Sequence, residues 1–401
     1  MKIIYISTSC STEKYKQVFA LRTKKAIEPQ QKFNNLFIQG LAKQPKVDVL
    51  ALSTLPVSAS TCSIGQFKFE EEKVSESLVY QYIPFRNGKV TRLYDMCMNT
   101  KKLLKQFLDK NKNERCVIIA DVLSPFMIVG CFDIAHKYKV PVIGVVTDLP
   151  ELATKMKMRR VSFAKRNLLY CIEKFNTNLL KRYDAYITLT DSINEVINKE
   201  HKKHIVIEGS VDAGLNYVLP EKSASKEVVY AGGVYEKYGV KTLVEAFLKI
   251  NVSNELHIYG DGTYVDKIKE ISEKHPNIKY MGMVSLEEIV EIERKATLLI
   301  NPRPSNESFS KYSFPSKTLE YMSSCTPLLS TKLPGIPPEY FNYIYTIENE
   351  GVDGMADALL NVLAYNPSIL EEKGKRAFVF VKQNKTNVVQ GKRIVEFINT
   401  L

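Results

Sequence analysis

The sequence predicts an α/β protein built from two doubly wound domains in tandem. Three observations predict it: short β-branched runs alternate with longer helical stretches, the alternation restarts after residue 210, and 401 residues suffice for two cores. In the first series, residues 3–6, 47–50, 117–120, 142–146 and 185–189 read as buried strands, and 30–42 and 94–109 have helical periodicity. A run at 204–207 ends this half, followed by a turn at 208–212 and a polar stretch at 220–226. The second series places strands at 228–231, 255–259, 279–281, 298–300 and 326–329, with helices at 240–250 and 285–295 between them. Strand–helix alternation of this kind implies parallel sheets covered on both faces. The expected domains are 1–213 and 214–384. The segment 385–401 is read as a helix that packs back on the first domain through Val388, Val389, Ile394, Phe397 and Ile398.

Apolar residues make up 45% and charged residues 25% of the chain, which excludes disordered, collagen-like and disulfide-scaffold classes. The seven cysteines form no CxxC pair and the five histidines no HExxH, so no metal and no cofactor are expected. The apolar start at Met1–Ile6 is too short for a signal-peptide core, so a cytoplasmic location is expected. The formal charge of +12 is uneven. Residues 1–210 carry 34 Lys and Arg against 20 Asp and Glu, and the remainder 22 against 24. A basic half beside a near-neutral half suggests that one half meets an anionic partner.

The richest segment runs from 299 to 329: strand, loop, helix, strand. Pro315 suits a first helical turn and Ser313 an N-cap. The N–H groups of Ser316, Lys317 and Thr318, with the Lys317 ammonium, would then make a phosphate cradle, and Glu320, one turn further in, could accept hydrogen bonds from a ribose diol. The same residues also suit a capped surface helix. A second segment, Tyr230 to Val240, runs from a strand through Gly232 and Gly233 into a helix, with Lys237 available to a diphosphate. A third, Gly260-Asp261-Gly262, repeats the strand-to-glycine turn and equally suits a tight turn with a capping aspartate.

Together these segments resemble the retaining glycosyltransferases of family 4, which have the GT-B fold, two Rossmann-like domains facing each other across a cleft. The family signature there is Glu-x-Phe-Gly-x4-Glu. Phe314 matches its aromatic residue and Glu320 its second glutamate, while Tyr312 replaces the first glutamate and Pro315 the glycine. The variant is similar to enzymes of bacterial surface-polysaccharide assembly. The resemblance implies that Glu320 binds the donor ribose, and that Met283 and Val284 lie where the family meets the base through backbone atoms. Gly233 stands where the family has a phosphate-binding arginine and Lys237 keeps its lysine, so Arg303 is the candidate for the missing guanidinium and Glu307 for the missing carboxylate. Gly260 and Gly262 match a turn near the diphosphate. In the first domain Asp148 occupies the place of an acceptor-facing residue, and also suits a turn aspartate.

Residues 155–182 hold nine basic side chains (Lys155, Lys157, Arg159, Arg160, Lys165, Arg166, Lys174, Lys181 and Arg182) among aromatic and aliphatic ones. The later part has helical spacing, which fits a helix lying on an anionic membrane surface and also fits a solvated helix packed on the domain. The function expected from the resemblance is transfer of a sugar, with retention, from a nucleoside-diphosphate sugar (a UDP-sugar favoured) to a glycan or polyprenyl-diphosphate-linked acceptor. The alternatives are a non-catalytic partner subunit of the same fold and a sugar-nucleotide epimerase. A nucleic-acid partner is not expected, because no binding motif accompanies the charge.

Overall fold

Ten strands belong to the first half: β1 (Lys2–Ser7), β2 (Asp48–Ser53), β3 (Gln66–Phe67), β4 (Glu70–Ser75), β5 (Leu78–Tyr82), β6 (Phe85–Arg86), β7 (Cys116–Asp121), β8 (Val142–Val146), β9 (Ala185–Thr188) and β10 (His204–Val206). Eight of them form one sheet in the order β10-β9-β8-β7-β1-β2-β5-β4. All its pairings are parallel except that of β4 with β5. β3 and β6 make a separate antiparallel pair. These features belong to a computed structural model that describes residues 1–23, 29–149, 163–216, 222–223 and 226–401.

The central strands are apolar on both faces, as buried parallel strands must be. Ile3, Tyr5, Val49, Ala51, Val117, Ile119, Ile143 and Val145 share one core with Phe37, Ile38 and Leu41 of the Pro29–Ala42 helix. The C-terminal helix Asn387–Asn399 adds Ile394 and Ile398 to that same core. Burying two such side chains contributes about 3–6 kcal/mol before entropy is counted. The two helices cross nearly backbone to backbone: a Cβ on Gly40 would lie 2.1 Å from the Asn387 carbonyl oxygen, and one on Gly391 2.3 Å from that of Gly40. Residues 1–212 and 386–401 accordingly form one unit and 213–385 the other. Sequence reading did not anticipate β4 or β5; the β4 run Glu70-Glu71-Glu72-Lys73 is too polar to resemble a buried strand.

The second unit holds β11 (Val228–Ala231), β12 (Leu256–Tyr259), β13 (Ile278–Gly282), β14 (Leu298–Asn301), β15 (Leu328–Thr331) and β16 (Tyr345–Ile347). Its parallel sheet has the order β13-β12-β11-β14-β15-β16. This is the 3-2-1-4-5-6 arrangement of a doubly wound dinucleotide-binding sheet, in which the strand order reverses between the first and fourth strands. Helices Val240–Lys249 and Val352–Leu363 cover one face through Leu243, Phe247, Met355 and Leu359. Helix Leu286–Lys295 starts with a capping box in which Ser285 and Glu288 satisfy each other's backbone N–H groups. Among the described residues, no helix is long and apolar enough to cross a membrane.

Candidate donor site at the switch point of the second unit

A chain that leaves β11 in one direction and returns through β14 in the other opens a crevice between the two loops that follow. In this unit those loops begin at Gly232 and Pro302, and the crevice is a cavity of ≈ 190 Å³. Gly232 and Gly233 line one side and Asn301 and Arg303 the other. Pro315, Ser316 and Lys317 also line it, together with Tyr230, Tyr238, Ile300 and Tyr321. Three residues that the sequence predicts to bind phosphate, Arg303, Lys317 and Ser316, are thus brought together with the glycine pair.

The electrostatics of this cavity are one-sided. The Arg303 guanidinium stacks on the rings of Tyr238, 5.0 Å away, and Phe309, 5.6 Å away. Burial pulls it below the ordinary arginine range, and the neighbouring tyrosines only partly offset this. Among the described residues it makes no ion pair. Lys317 lies 5.6 Å from the Tyr321 ring and 3.8 Å from a Glu320 carboxylate oxygen. Asn301, nine-tenths buried, has a side-chain Nδ2 with no acceptor. A buried donor left unpaired costs about 1–3 kcal/mol, so the site holds a cation and an amide that an anionic ligand would satisfy.

The tyrosines are structural. Tyr321 OH donates to the Ala231 carbonyl at 3.0 Å and accepts from the Ala231 N–H at 2.9 Å, which ties the Ser316–Met322 helix to the end of β11. Tyr230 OH donates to the Gly233 carbonyl at 2.8 Å and fixes the glycine turn. Neither these two nor Asn301 stood out in the sequence. The one available signal was Asn301, a polar residue ending the apolar run Leu298-Leu299-Ile300.

Several predicted residues sit elsewhere. The helix begins at Ser316 with Pro315 as its N-cap, and Ser313 lies outside it. The Thr318 N–H donates to the Pro315 carbonyl, and Thr318 is fully buried, so this residue faces the core. Phe314 also turns inward, 5.6 Å from the Tyr340 ring, because a large apolar side chain at that bend gains more from burial than from lining a polar crevice. Lys237 is exposed on a short turn, stacked over Tyr235 and Tyr238, and does not line the cavity. Tyr312 carries Lys311 above its ring at 4.8 Å, and Glu307 accepts the Ser310 N–H through its backbone. The turn 260–262 packs on the glycine turn: a Cβ on Gly262 would lie 2.1 Å from the Val234 oxygen. Met283 and Val284 follow β13, Met283 with 73% of its surface exposed.

In the first unit Asp148 follows β8 beside a hydrogen-bonded network that sequence reading missed. Asp121, wholly buried at the end of β7, accepts from Asn34 and Gln30 at 3.1 Å each and from the Leu123 N–H at 2.9 Å. Thr147 donates to Gln30 at 3.1 Å. Burial raises the Asp148 carboxyl although part of it meets solvent, and the Asp121 charge adds to the rise.

Residues 225–365 match a family model described as glycosyl transferases group 1. No curated protein sequence matches the chain. Solved structures do match over its whole length. A sucrose-phosphate synthase from Thermosynechococcus elongatus superposes with a TM-score of 0.64 at 14% identity, covering 100% of this chain and 99% of that one. Anabaena Alr3699/HepE in complex with UDP gives 0.60 at 13% identity and covers all of both chains. The fold is GT-B. A lipopolysaccharide outer core galactosyltransferase, WaaB, gives 0.60 at 15% identity, covering 100% of this chain and 99% of that one. The matched residues 225–365 contain every residue that lines the cavity of this GT-B unit.

Proposed function

We propose that this GT-B protein is a retaining glycosyltransferase that moves a sugar from a nucleoside-diphosphate sugar, a UDP-sugar favoured, to a glycan or lipid-linked acceptor in surface-polysaccharide assembly. The observation that carries the donor assignment is the cavity in which Lys317 meets the Arg303 guanidinium and the Asn301 amide, which among the described residues have no ion-pair partner and no acceptor respectively. As the glycosidic bond breaks, the leaving diphosphate gains negative charge. Fixed cations and N–H donors stabilise that charge with no reorganisation of water. Arg303 and Lys317 supply in this way the positive charge that a metal supplies elsewhere. Glu320, within reach of Lys317, is the ribose ligand, and Asp148 is the group of the first unit that faces the acceptor. Retention of configuration and the polysaccharide acceptor rest on the family 4 resemblance, and the UDP preference is supported by the UDP complex of Alr3699/HepE.

A thermal-shift screen of nucleotide sugars tests the reading. A ligand at 100 times its dissociation constant adds about 2.7 kcal/mol, so a UDP-sugar is expected to raise the melting temperature of the second unit. Lys317→Met is expected to remove most of that rise. A flat screen across all nucleotide sugars overturns the donor assignment.

We also propose that the basic segment meets an anionic membrane. Lys155, Lys157, Arg159 and Arg160 lie outside the described residues. The helix Phe163–Leu180 exposes Arg166 and Lys174 together with Tyr170, 61% exposed, and Ile172. Its Phe175 stacks on Phe126 and its Leu179 and Leu180 are buried, so the helix is anchored on the domain while an aromatic and basic surface stays open. Co-sedimentation with anionic vesicles is expected at low salt and should fall as salt screens the charge. Absence of salt-sensitive binding overturns this part.

A further inference from the structure

The crevice of the second unit exists because two neighbouring strands part. Among the described residues β11 and β14 pair only at Val228–Leu298 and Val229–Leu299. On its other side β11 stays paired with β12 to its last residue, Ala231 opposite Tyr259. β14 likewise stays paired with β15 to its last residue, Asn301 opposite Ser330. The sheet is therefore open between Ala231 and the Ile300–Asn301 end of β14. Parted strands lose the ladder that pairs their main-chain N–H and C=O groups, and buried groups of this kind must find other partners.

At Ala231 the partner is a single side-chain hydroxyl. The buried Tyr321 accepts the Ala231 N–H at 2.9 Å and donates to the Ala231 carbonyl at 3.0 Å. A phenol has one proton to donate, and here it is committed to the strand end. Tyr321 thus stands in for the missing strand partner. The next residues are tied as well. The Gly232 N–H donates to the Tyr259 carbonyl at 3.0 Å, and the Gly233 carbonyl accepts from Tyr230 at 2.8 Å. The Gly233 N–H differs: Gly233 lines the cavity, and its N–H has no partner among the described residues. The Tyr321 ring in turn carries Lys317, whose ammonium lies 5.6 Å from the ring centre. One side chain therefore holds the strand end and backs a cation of the same cavity.

We propose that Tyr321 is a positioning residue of the donor site: its hydroxyl holds the end of β11 apart from β14 and so sets the Gly232–Gly233 turn, with the Gly233 N–H, against Arg303 and Lys317 across the width of a diphosphate. Without the hydroxyl, Ala231 regains partners only by closing on β14 or by admitting water, and either shifts the turn. A donor fixed in advance loses most of its value once its position is lost. Tyr321 acts through the turn and not on the ligand. The role rests on the donor reading above.

Tyr321→Phe tests it, because it removes one oxygen and keeps the ring that is buried and backs Lys317. Calorimetric titration of the full chain with UDP and with UMP reads the result. UDP affinity is expected to fall about tenfold, the size of one hydrogen bond to a charged group, and UMP affinity to hold within about twofold, because the hydroxyl acts on the turn and not on Glu320. Equal loss for both nucleotides, or loss for neither, overturns the proposal. Hydrogen exchange at the Ala231 amide gives a readout that needs no ligand. In the unaltered chain it should be as slow as at Leu299, whose N–H donates to the Pro327 carbonyl at 2.9 Å inside the sheet. In Tyr321→Phe it should be at least about tenfold faster, as for a main-chain group that has lost its partner. Exchange at Ala231 in the unaltered chain as fast as at the exposed Lys237 overturns the proposal even if the variant does not fold. The two readings separate. Slow Ala231 exchange that is lost in Tyr321→Phe, with no UDP binding to the unaltered chain, faults the donor reading and supports the hold of the hydroxyl on β11. UDP binding with the same UDP-to-UMP ratio in both chains keeps the donor reading and overturns this one.

Discussion

Arg303→Ala is expected to lower kcat/KM for sugar transfer by about 10²- to 10³-fold while leaving the protein folded. The size follows from removing one preorganised donor aimed at developing charge. The stability side follows from the surroundings of the guanidinium. It makes no ion pair among the described residues, stacks only on Tyr238 and Phe309, and is desolvated enough to fall below its usual pKa range. Deleting it forfeits two cation–ring contacts of about 0.5–2 kcal/mol each but also relieves the cost of a buried cation. The melting temperature of the free protein should therefore change little, whereas the rise caused by a UDP-sugar should largely vanish. Arg303→Lys is not expected to rescue activity, because a compact ammonium neither stacks between two rings nor offers a planar fork to a diphosphate. Equal loss of stability and activity in Arg303→Ala would make this arginine a packing residue and sink its assignment to the diphosphate.

That arginine also shows how far the sequence could be read. Strand periodicity and turn glycines located both sheets and the 232–233 turn, because buried parallel strands are apolar throughout and glycine follows where backbones approach closely. Arg303 was legible only as a compensation, a cation on a loop opposite a glycine standing where the family has arginine. Its stacking partners were not legible, since Tyr238 and Phe309 reach it from separate loops. Lys237 and Phe314 lie outside the cavity lining for the converse reason. Their spacing along the chain matched a motif, but local geometry sent one side chain to solvent and the other to the core. The Asp121 network stayed hidden because four separate segments supply its members, Tyr5 among them through its hydrogen bond to Asn34.

Adding a methyl at Gly260, beside the donor cavity, is expected to carry a large stability effect. Gly260 has a φ of +127°, and a Cβ there would fall 1.8 Å from the Gly232 carbonyl oxygen. Gly282 also has positive φ, +76°, but nothing lies within 4 Å of its Cβ position. The pair separates two costs. Gly282→Ala meets only the left-handed backbone penalty of about 1–2 kcal/mol. Gly260→Ala meets a comparable penalty and, in addition, a clash with backbone that has no side-chain freedom to yield, for a total of at least about 3 kcal/mol. At about 2–4 °C per kcal/mol for a domain of this size, Gly282→Ala should melt a few degrees early and Gly260→Ala roughly 6–12 °C early. The effect should reach the site as well. A Cβ on Gly232 would lie only 3.4 Å from Lys317 Cε, so pushing Gly232 aside displaces the wall against which Lys317 rests. Nucleotide-sugar affinity measured well below the melting transition should fall in Gly260→Ala and hold in Gly282→Ala. If the two variants melt together, backbone strain alone accounts for the turn, and the packing of Gly260 on Gly232 does not support the donor cavity.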